Sequence, residues 1–304
     1  MNKTFLKLVS FIALVLMMNS VAAQDTTDLL SQLEKEMQPT KDLTYYTTAT
    51  FKTTRLINGH SVENVGKGVL DVKVSHRFGK LNEGGYNLFG LDNATMRFGF
   101  DYGITPYLMV GVGRSTFQKT YDGYFKLKIL RQSRGKHKMP ITLSYVPTIA
   151  YWTQKFSDPT IKNYNSSRLS FTHQLIIGRK FSEGTSLQLM PTYIHQNLVT
   201  LATDHNDMFA IGIGGRQKIT KRVSINVEYY YQLPPTKPAG STNALSIGFD
   251  IETGGHVFQL HFTNSTGMNE RSFITDTKGH WDKGDILFGF NISRVFTIRS
   301  NRRK

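Results

Sequence analysis

Ionic side chains in this chain tend to stand two residues apart. Asp71, Lys73 and Arg77 share one parity, as do Arg97 and Asp101, Lys126 and Lys128, Arg216 and Lys218, and Asp250 and Glu252; Glu228 stands in the row Ser224, Asn226, Glu228. The chemistry open to such rows is electrostatic. They pair with one another, hold water or steer ions along a wall. Nucleophilic chemistry fits poorly. Ser170 and His173 are three residues apart, which on a strand puts them on opposite faces, and no Gly-x-Ser-x-Gly elbow occurs. Gly111-Val112-Gly113 and Gly212-Ile213-Gly214-Gly215 repeat inside strand patterns without opening a helix, so they read as wall glycines and not as phosphate loops. Two loop clusters, Asp204-His205-Asn206-Asp207 and Asp276, His280, Asp282, Asp285, offer oxygens of the kind Ca²⁺ takes. They lack the spacing of a known calcium loop and read as solvated loops. With no cysteine, disulfides and thiolate metal sites are excluded. No catalytic residue, cofactor or metal is assigned, and no enzyme activity is expected.

The elements that carry these rows are amphipathic strands. In Leu245-Ser246-Ile247-Gly248-Phe249-Asp250-Ile251-Glu252 one face is Leu, Ile, Phe, Ile and the other Ser, Gly, Asp, Glu. The same alternation predicts strands at 69–78, 94–102, 107–117, 121–130, 168–181, 186–195, 207–217, 223–232, 244–252, 256–264 and 285–296. Segment 141–152 is apolar on both faces and contains Pro147, and 186–195 is interrupted by Pro191. Segment 45–57 is Thr-rich and weakly amphipathic. With it the tally is odd, whereas a single-chain barrel should have an even number of strands. Twelve follows if 45–57 does not span, fourteen if 79–93 hides another crossing. Short turns near 103–106, 182–185, 220–222 and 253–255 alternate with long loops at 154–167, 196–206, 233–243 and 265–284. The expected fold is all-β: an antiparallel up-and-down transmembrane β-barrel over 45–297, apolar outside and polar within, with short turns in the periplasm.

Asp71, Lys73, Arg77, Arg97, Asp101, Lys126, Lys128, Arg168, Arg216, Lys218, Glu228, Asp250 and Glu252 are then expected to face the lumen, because a charge turned to lipid costs about 2–4 kcal/mol at mid-bilayer. Two readings follow, a narrow basic pore for small solutes and an interior filled by its own side chains. In the second, a closed structural barrel would meet lipopolysaccharide or a protein partner through its long loops. A soluble exported β-sandwich or lipid-binding barrel is a third.

The N-terminus reads as an export signal at 1–23: Lys3 and Lys7, an apolar run from Leu8 to Leu16, then Val21-Ala22-Ala23. Residues 24–44 read as a periplasmic leader, a short helix with Leu29, Leu30, Leu33 and Met37 on one face, or flexible. A basic tail, 298–304, closes the chain. The formal charge of +15 would ordinarily suggest nucleic acid, but export argues against it. Anionic phosphates of lipopolysaccharide, or anionic solutes, suit it better.

The last strand, Gly284 to Phe296, resembles the C-terminal signal of outer-membrane barrels, an alternating strand ending in an aromatic. That resemblance implies recognition by the outer-membrane assembly machinery, although Thr297 to Lys304 follow the Phe. His76-Arg77-Phe78-Gly79, Leu88-Phe89-Gly90-Leu91-Asp92, Tyr102-Gly103-Ile104-Thr105, Gly111-Val112-Gly113-Arg114-Ser115 and Gly254-Gly255-His256-Val257-Phe258 resemble an uncharacterised outer-membrane β-barrel family of Bacteroidota. The resemblance implies fold and outer-membrane location and carries no site residues.

Overall fold

The computed structural model describes residues 43–299 apart from 157, 159 and 161. The expected signal at 1–23, nearly all of the expected leader at 24–44 and most of the basic stretch 298–304 lie outside the described residues. The chain divides into a small unit, of which 43–45 and Gly135–His137 are described, and a large one, residues 46–134 and 138 onward. Within the small unit Lys136 N donates to Leu43 O at 3.0 Å. All that follows concerns the large unit.

Twelve strands close on themselves: β1 (Val69–Lys80), β2 (Ala94–Gly103), β3 (Leu108–Ser115), β4 (Thr120–Leu130), β5 (Thr142–Trp152), β6 (Leu169–Lys180), β7 (Thr185–Gln196), β8 (Asp207–Lys218), β9 (Val223–Gln232), β10 (Ala244–Thr253), β11 (His256–Thr263) and β12 (Leu287–Thr297). Each pairs antiparallel with its neighbours in sequence. β12 closes on β1 from Thr297↔Val69 to Leu287↔Lys80, with a bulge between Leu287 and Gly289. Closure removes the edge strands that an open sheet would expose.

Alternation decides the faces. Phe98, Phe100, Phe125, Ile149, Leu175, Leu189, Ile211, Ile213, Phe249, Leu260 and Phe262 are exposed on the outer wall, while Asp71, Lys73, Arg97, Asp101, Lys126, Arg216, Glu228 and Asp250 are buried inside. An apolar belt of this extent is stable against hydrocarbon, not water. Among the described residues no helix is long and apolar enough to cross a membrane.

The ambiguous segments resolve cleanly. Residues 79–93 do not cross; past β1 they form two 3₁₀ segments, Leu81–Glu83 and Gly85–Gly90. Segment 45–57 does not span either, so the count is twelve. Segment 141–152 does span, and Pro147 and Pro191 sit in register opposite His173 and Ile211. Strand ends divide the connections into two rims. One carries both ends of the barrel and the short turns 104–107, 181–184, 219–222 and 254–255; the other carries 81–93, 153–168, 197–206, 233–243 and 264–286.

Candidate functional site

Residues 50–65, buried or half-buried, lie inside the barrel. Leu56 N donates to Gly59 O at 2.8 Å and Ser61 N to Thr54 O at 3.0 Å, making a hairpin that turns at Ile57-Asn58. Leu56, Ile57, Asn58, His60, Ser61 and Val62 are all at most 2 % exposed. A buried hairpin in a barrel cannot leave its backbone polar groups unmet, and the wall supplies the partners.

Glu228 on β9 holds the tip. Its carboxylate accepts from Asn58 N at 2.8 Å and from Ile57 N and Gly59 N at 3.2 Å each. Three successive amides converging on one carboxylate form an anion-binding concavity of the kind called a nest. The register leaves room for it, because Glu228 stands between Gly214 on β8 and Ser246 on β10. From the wall, Lys126 Nζ donates to three hairpin carbonyls, Thr54 at 2.8 Å, Ser61 at 2.9 Å and Glu63 at 3.0 Å. Gln188, Gln259 and Asn291 donate to the carbonyls of His60, Leu56 and Ile57 at 2.8, 2.5 and 3.0 Å. Arg77 donates to Asn58 Oδ1 at 2.7 Å, and Asn58 Nδ2 to Ser246 Oγ at 2.9 Å. Lys73 bonds both Thr54 and Asp101.

Apolar residues are set among the polar ones on β5 to β8: Val146, Ile176, Met190, Ile194, Met208 and Ala210 are buried and belong to one apolar cluster with Leu56 and Val62 of the hairpin. Two wall glycines make the space: a Cβ at Gly214 would strike Leu56, and one at Gly178 would strike Val62. Gly59 answers in kind, since a Cβ there would run into the Tyr230 hydroxyl.

A second plug comes from the opposite rim. Loop 264–286 folds inward as the short helix α1 (Glu270–Thr275), with Asn269 Oδ1 accepting from Ser272 N at 2.9 Å as its cap. Phe273 and Ile274 are buried, and Phe273 meets Tyr230 edge-on at 5.0 Å between centroids. The plugs are joined: Arg55 Nη1 donates to Glu270 Oε1 at 2.7 Å, with His60 Nε2 3.4 Å from the same oxygen. Outside the membrane-spanning strands, Asp285 pins the loop's far end. Asn82 and Lys80 donate to its Oδ1 at 3.0 Å each and His280 N to its Oδ2 at 3.1 Å, and these bonds hold its pKa well below the ordinary carboxylate value.

The residues expected at the lumen fall into three groups. Asp71, Lys73, Arg97, Asp101, Lys126, Arg216, Glu228 and Asp250 are buried within it. Lys128 lies near the short-turn rim, 3.9 Å from Glu63, and Glu252 at the same rim bonds Lys52. Arg168 departs from expectation: it lies just before β6 and is stacked on Trp152 and Phe156 at the long-loop rim, because the strand starts one residue later and the alternation that would turn it inward does not reach it. The buried strand cations Lys73, Arg77, Arg97, Lys126 and Arg216 are met by as many buried anions, Asp71, Asp101, Asp122, Glu228 and Asp250. Arg97 Nε donates to Asp122 Oδ1 at 2.9 Å, and Lys73 Nζ lies 3.3 Å from Asp71. Of the carboxylates in the two clusters, Asp204 accepts from Ala239 N at 2.9 Å, Asp207 bonds His195 at 2.7 Å, Asp276 bonds Arg271 at 2.6 Å and Asp285 is held as above, while Asp282 is exposed, 3.9 Å from His280 Nδ1. Ser170 faces the lumen and His173 the outside, where its Nδ1 bonds the Tyr145 hydroxyl at 2.6 Å.

Sequence reasoning missed the hairpin. The signal was present in Leu56-Ile57-Asn58-Gly59, since Asn-Gly between two short β-prone runs is a strong turn cue. That pair lay just past the end of a segment, 45–57, read as a weak strand.

A closed antiparallel barrel with an apolar outer wall and an ionic, plugged interior is a membrane-spanning β-barrel. The chain belongs to the family described as "Membrane bound beta barrel domain (DUF5777)", which matches residues 51–296 and so takes in the hairpin. Among curated proteins none matches the chain. Solved structures similar to it include the NanC porin (TM-score 0.46, 8% identity, covering 74% of this chain and 98% of that one). The KdgM porin is similar at TM-score 0.43 and 9% identity, covering 75% and 99%. An outer membrane channel from Pseudomonas putida F1 is similar at TM-score 0.45 and 11% identity, covering 77% and 98%. Likeness at this level assigns no activity to the chain.

Proposed function

We propose that this chain is an outer-membrane barrel that acts as a gated small-solute pore, closed at rest by its own hairpin. The observation that carries the reading is the grip of Glu228 on three consecutive hairpin amides. Every such bond is made to a backbone that is a separate segment from the wall, so the plug can leave without breaking the barrel ladder. The short-turn rim faces the periplasm and the long loops face outward, as their lengths favour. Residues 1–23 then serve as the cleaved export signal, 24–44 as the periplasmic leader and 298–304 as the basic tail. β12, with Phe296 next to its last residue, is the strand offered to the assembly machinery. The deciding experiment is conductance in planar bilayers. Intact protein should show rare, small openings, and a variant lacking 50–62 a large steady conductance. A folded deletion variant that stays silent overturns the pore.

One observation favours a second reading, a permanently sealed barrel displaying its loops. The buried Arg55–Glu270 pair locks the hairpin to the outer loop. In that case neither the deletion nor any single wall substitution produces conductance.

A further inference from the structure

We propose that the outer wall at β3 to β6 carries a binding site for lipopolysaccharide: basic groups for its phosphates at the long-loop rim, above a groove for one of its acyl chains. The inference rests on the outward placement of that rim in the function proposed above.

The rim supplies the charge. Arg168 packs against an edge-on ring pair, its guanidinium carbon 4.7 Å from the Trp152 centroid and 4.3 Å from that of Phe156, the two centroids being 4.8 Å apart. Its Nη1 donates to the carbonyls of Trp152 at 3.2 Å and Gln154 at 2.7 Å, which fixes the group while its other nitrogens are given no protein partner among the described residues. Lys119 is exposed in the turn between β3 and β4, and its carbonyl accepts from Thr153 Oγ1 at 2.7 Å, tying that turn to the loop that follows β5. Arg114 is exposed on β3, over the Tyr121 ring at 5.5 Å, with Nε 3.3 Å from the Tyr121 hydroxyl. The carboxylates nearest in sequence are turned elsewhere. Asp122 is buried on Arg97, and Asp158 Oδ1 accepts from Thr160 N at 2.9 Å and Thr160 Oγ1 at 2.6 Å.

Directly below lies the second feature. Tyr121 pairs with Tyr151 and Tyr151 with Leu169; two residues on, Gly123 pairs with Ile149 and Ile149 with Phe171. Two residues of strand are about 7 Å, towards the middle of the membrane. There a groove of about 310 Å³ is bounded by Gly123, Phe125, Pro147, Ile149, Phe171 and His173. Its floor is bare because Gly123 has no side chain, and a Cβ there would meet only Ile149, at 3.9 Å. Cations and aromatics at the interface, with an apolar slot one step deeper, match an amphiphile that bears phosphate above an acyl chain. On the outward leaflet of an outer membrane that amphiphile is lipopolysaccharide.

The test uses the full-length protein in detergent, titrated with purified lipopolysaccharide in one arm and phosphatidylglycerol in the other. Binding is followed by native mass spectrometry. Lys119→Glu with Arg168→Glu should weaken lipopolysaccharide binding about tenfold or more and remove its salt dependence. Gly123→Leu, which puts a side chain into the slot from a position where a Cβ has room, should weaken it about fivefold while leaving the salt dependence intact. Heat-dependent gel mobility of each variant reports the barrel itself, so a failed barrel and a failed site give different results. Equal binding of lipopolysaccharide by wild type and both variants overturns the site, as does phosphatidylglycerol bound as tightly as lipopolysaccharide.

Discussion

Glu228→Gln is the smallest change that should unseat the hairpin. The carboxylate uses both oxygens, Oε1 for Asn58 N and Oε2 for Ile57 N and Gly59 N. An amide keeps the shape but only one acceptor. If the Gln oxygen takes the Oε2 position, the bond to Asn58 is lost and an N–H faces an N–H; in the other orientation two bonds go. A hydrogen bond to a charged group contributes about 1.5–3 kcal/mol, so the better orientation still costs about that much. Every 1.4 kcal/mol is a factor of ten in an equilibrium, which puts the loss of closed-state preference at roughly tenfold to a hundredfold or more. The chain has no cysteine, so Ile57→Cys gives a single reporter at the buried tip. Labelling by a membrane-impermeant maleimide should be slow in that background and faster by this factor once Glu228→Gln is added. Open-channel time in planar bilayers should rise in parallel. Unchanged labelling and unchanged conductance, in a variant with normal heat-modifiable mobility, would refute the nest as the latch.

Other perturbations act on the same plug from different sides. Gly214→Val forces a branched side chain into Leu56, and Gly178→Val does the same to Val62; overpacking of this kind costs about 1–3 kcal/mol, and both variants should flicker open in single-channel records. Glu270→Ala strips Arg55 of its buried partner. Breaking such a pair costs about 3–5 kcal/mol, so hydrogen exchange at amides 53–61 should accelerate, with Glu270→Gln intermediate. Asn269→Ala removes the α1 cap at about 0.5–2 kcal/mol and should raise exchange in 270–275 without opening the hairpin. Asp285 has a lowered pKa in the folded protein, so its contribution is present above the ordinary carboxylate pKa and is lost only as pH falls through the lower folded value. Tryptic cleavage after Lys283 should therefore be slow at neutral pH in wild type and fast in Asp285→Asn, and a brief exposure to pH 5 should not by itself release the loop.

Much of the wall was legible because period 2 is a local property. Leu245, Ile247, Phe249 and Ile251 announce their face without reference to any other strand. The same locality explains what was missed. Met208 reads as opposite Phe209, Ile211 and Ile213, but nothing nearby in sequence says that it will share an apolar cluster with Leu56 and Val62. The partners of Glu228 lie 169 to 171 residues away. A lumen can be inferred from alternation; its occupant comes from long-range contacts that no window of ten residues contains.

Strand number leaves room for an occupant. About eight strands enclose just enough space for side chains to fill, whereas 16–18 leave an aqueous channel. Twelve strands fall between, wide enough that wall residues alone leave a gap and narrow enough that one hairpin and one helical turn close it. Charged and amide groups of β4, β7, β9, β11 and β12 hold the hairpin backbone and Arg77 of β1 holds the Asn58 side chain, while apolar residues of β5 to β8 share one cluster with Leu56 and Val62. A hairpin seated this way has one orientation, because turning it over would place Leu56 among ions and its carbonyls against methyl groups. Opening then requires the polar seam to exchange its bonds for water, at about 0.5–1.5 kcal/mol for a neutral bond and about 1.5–3 kcal/mol for one to a charged group. The apolar seam, which gains nothing from water, adds to that pull.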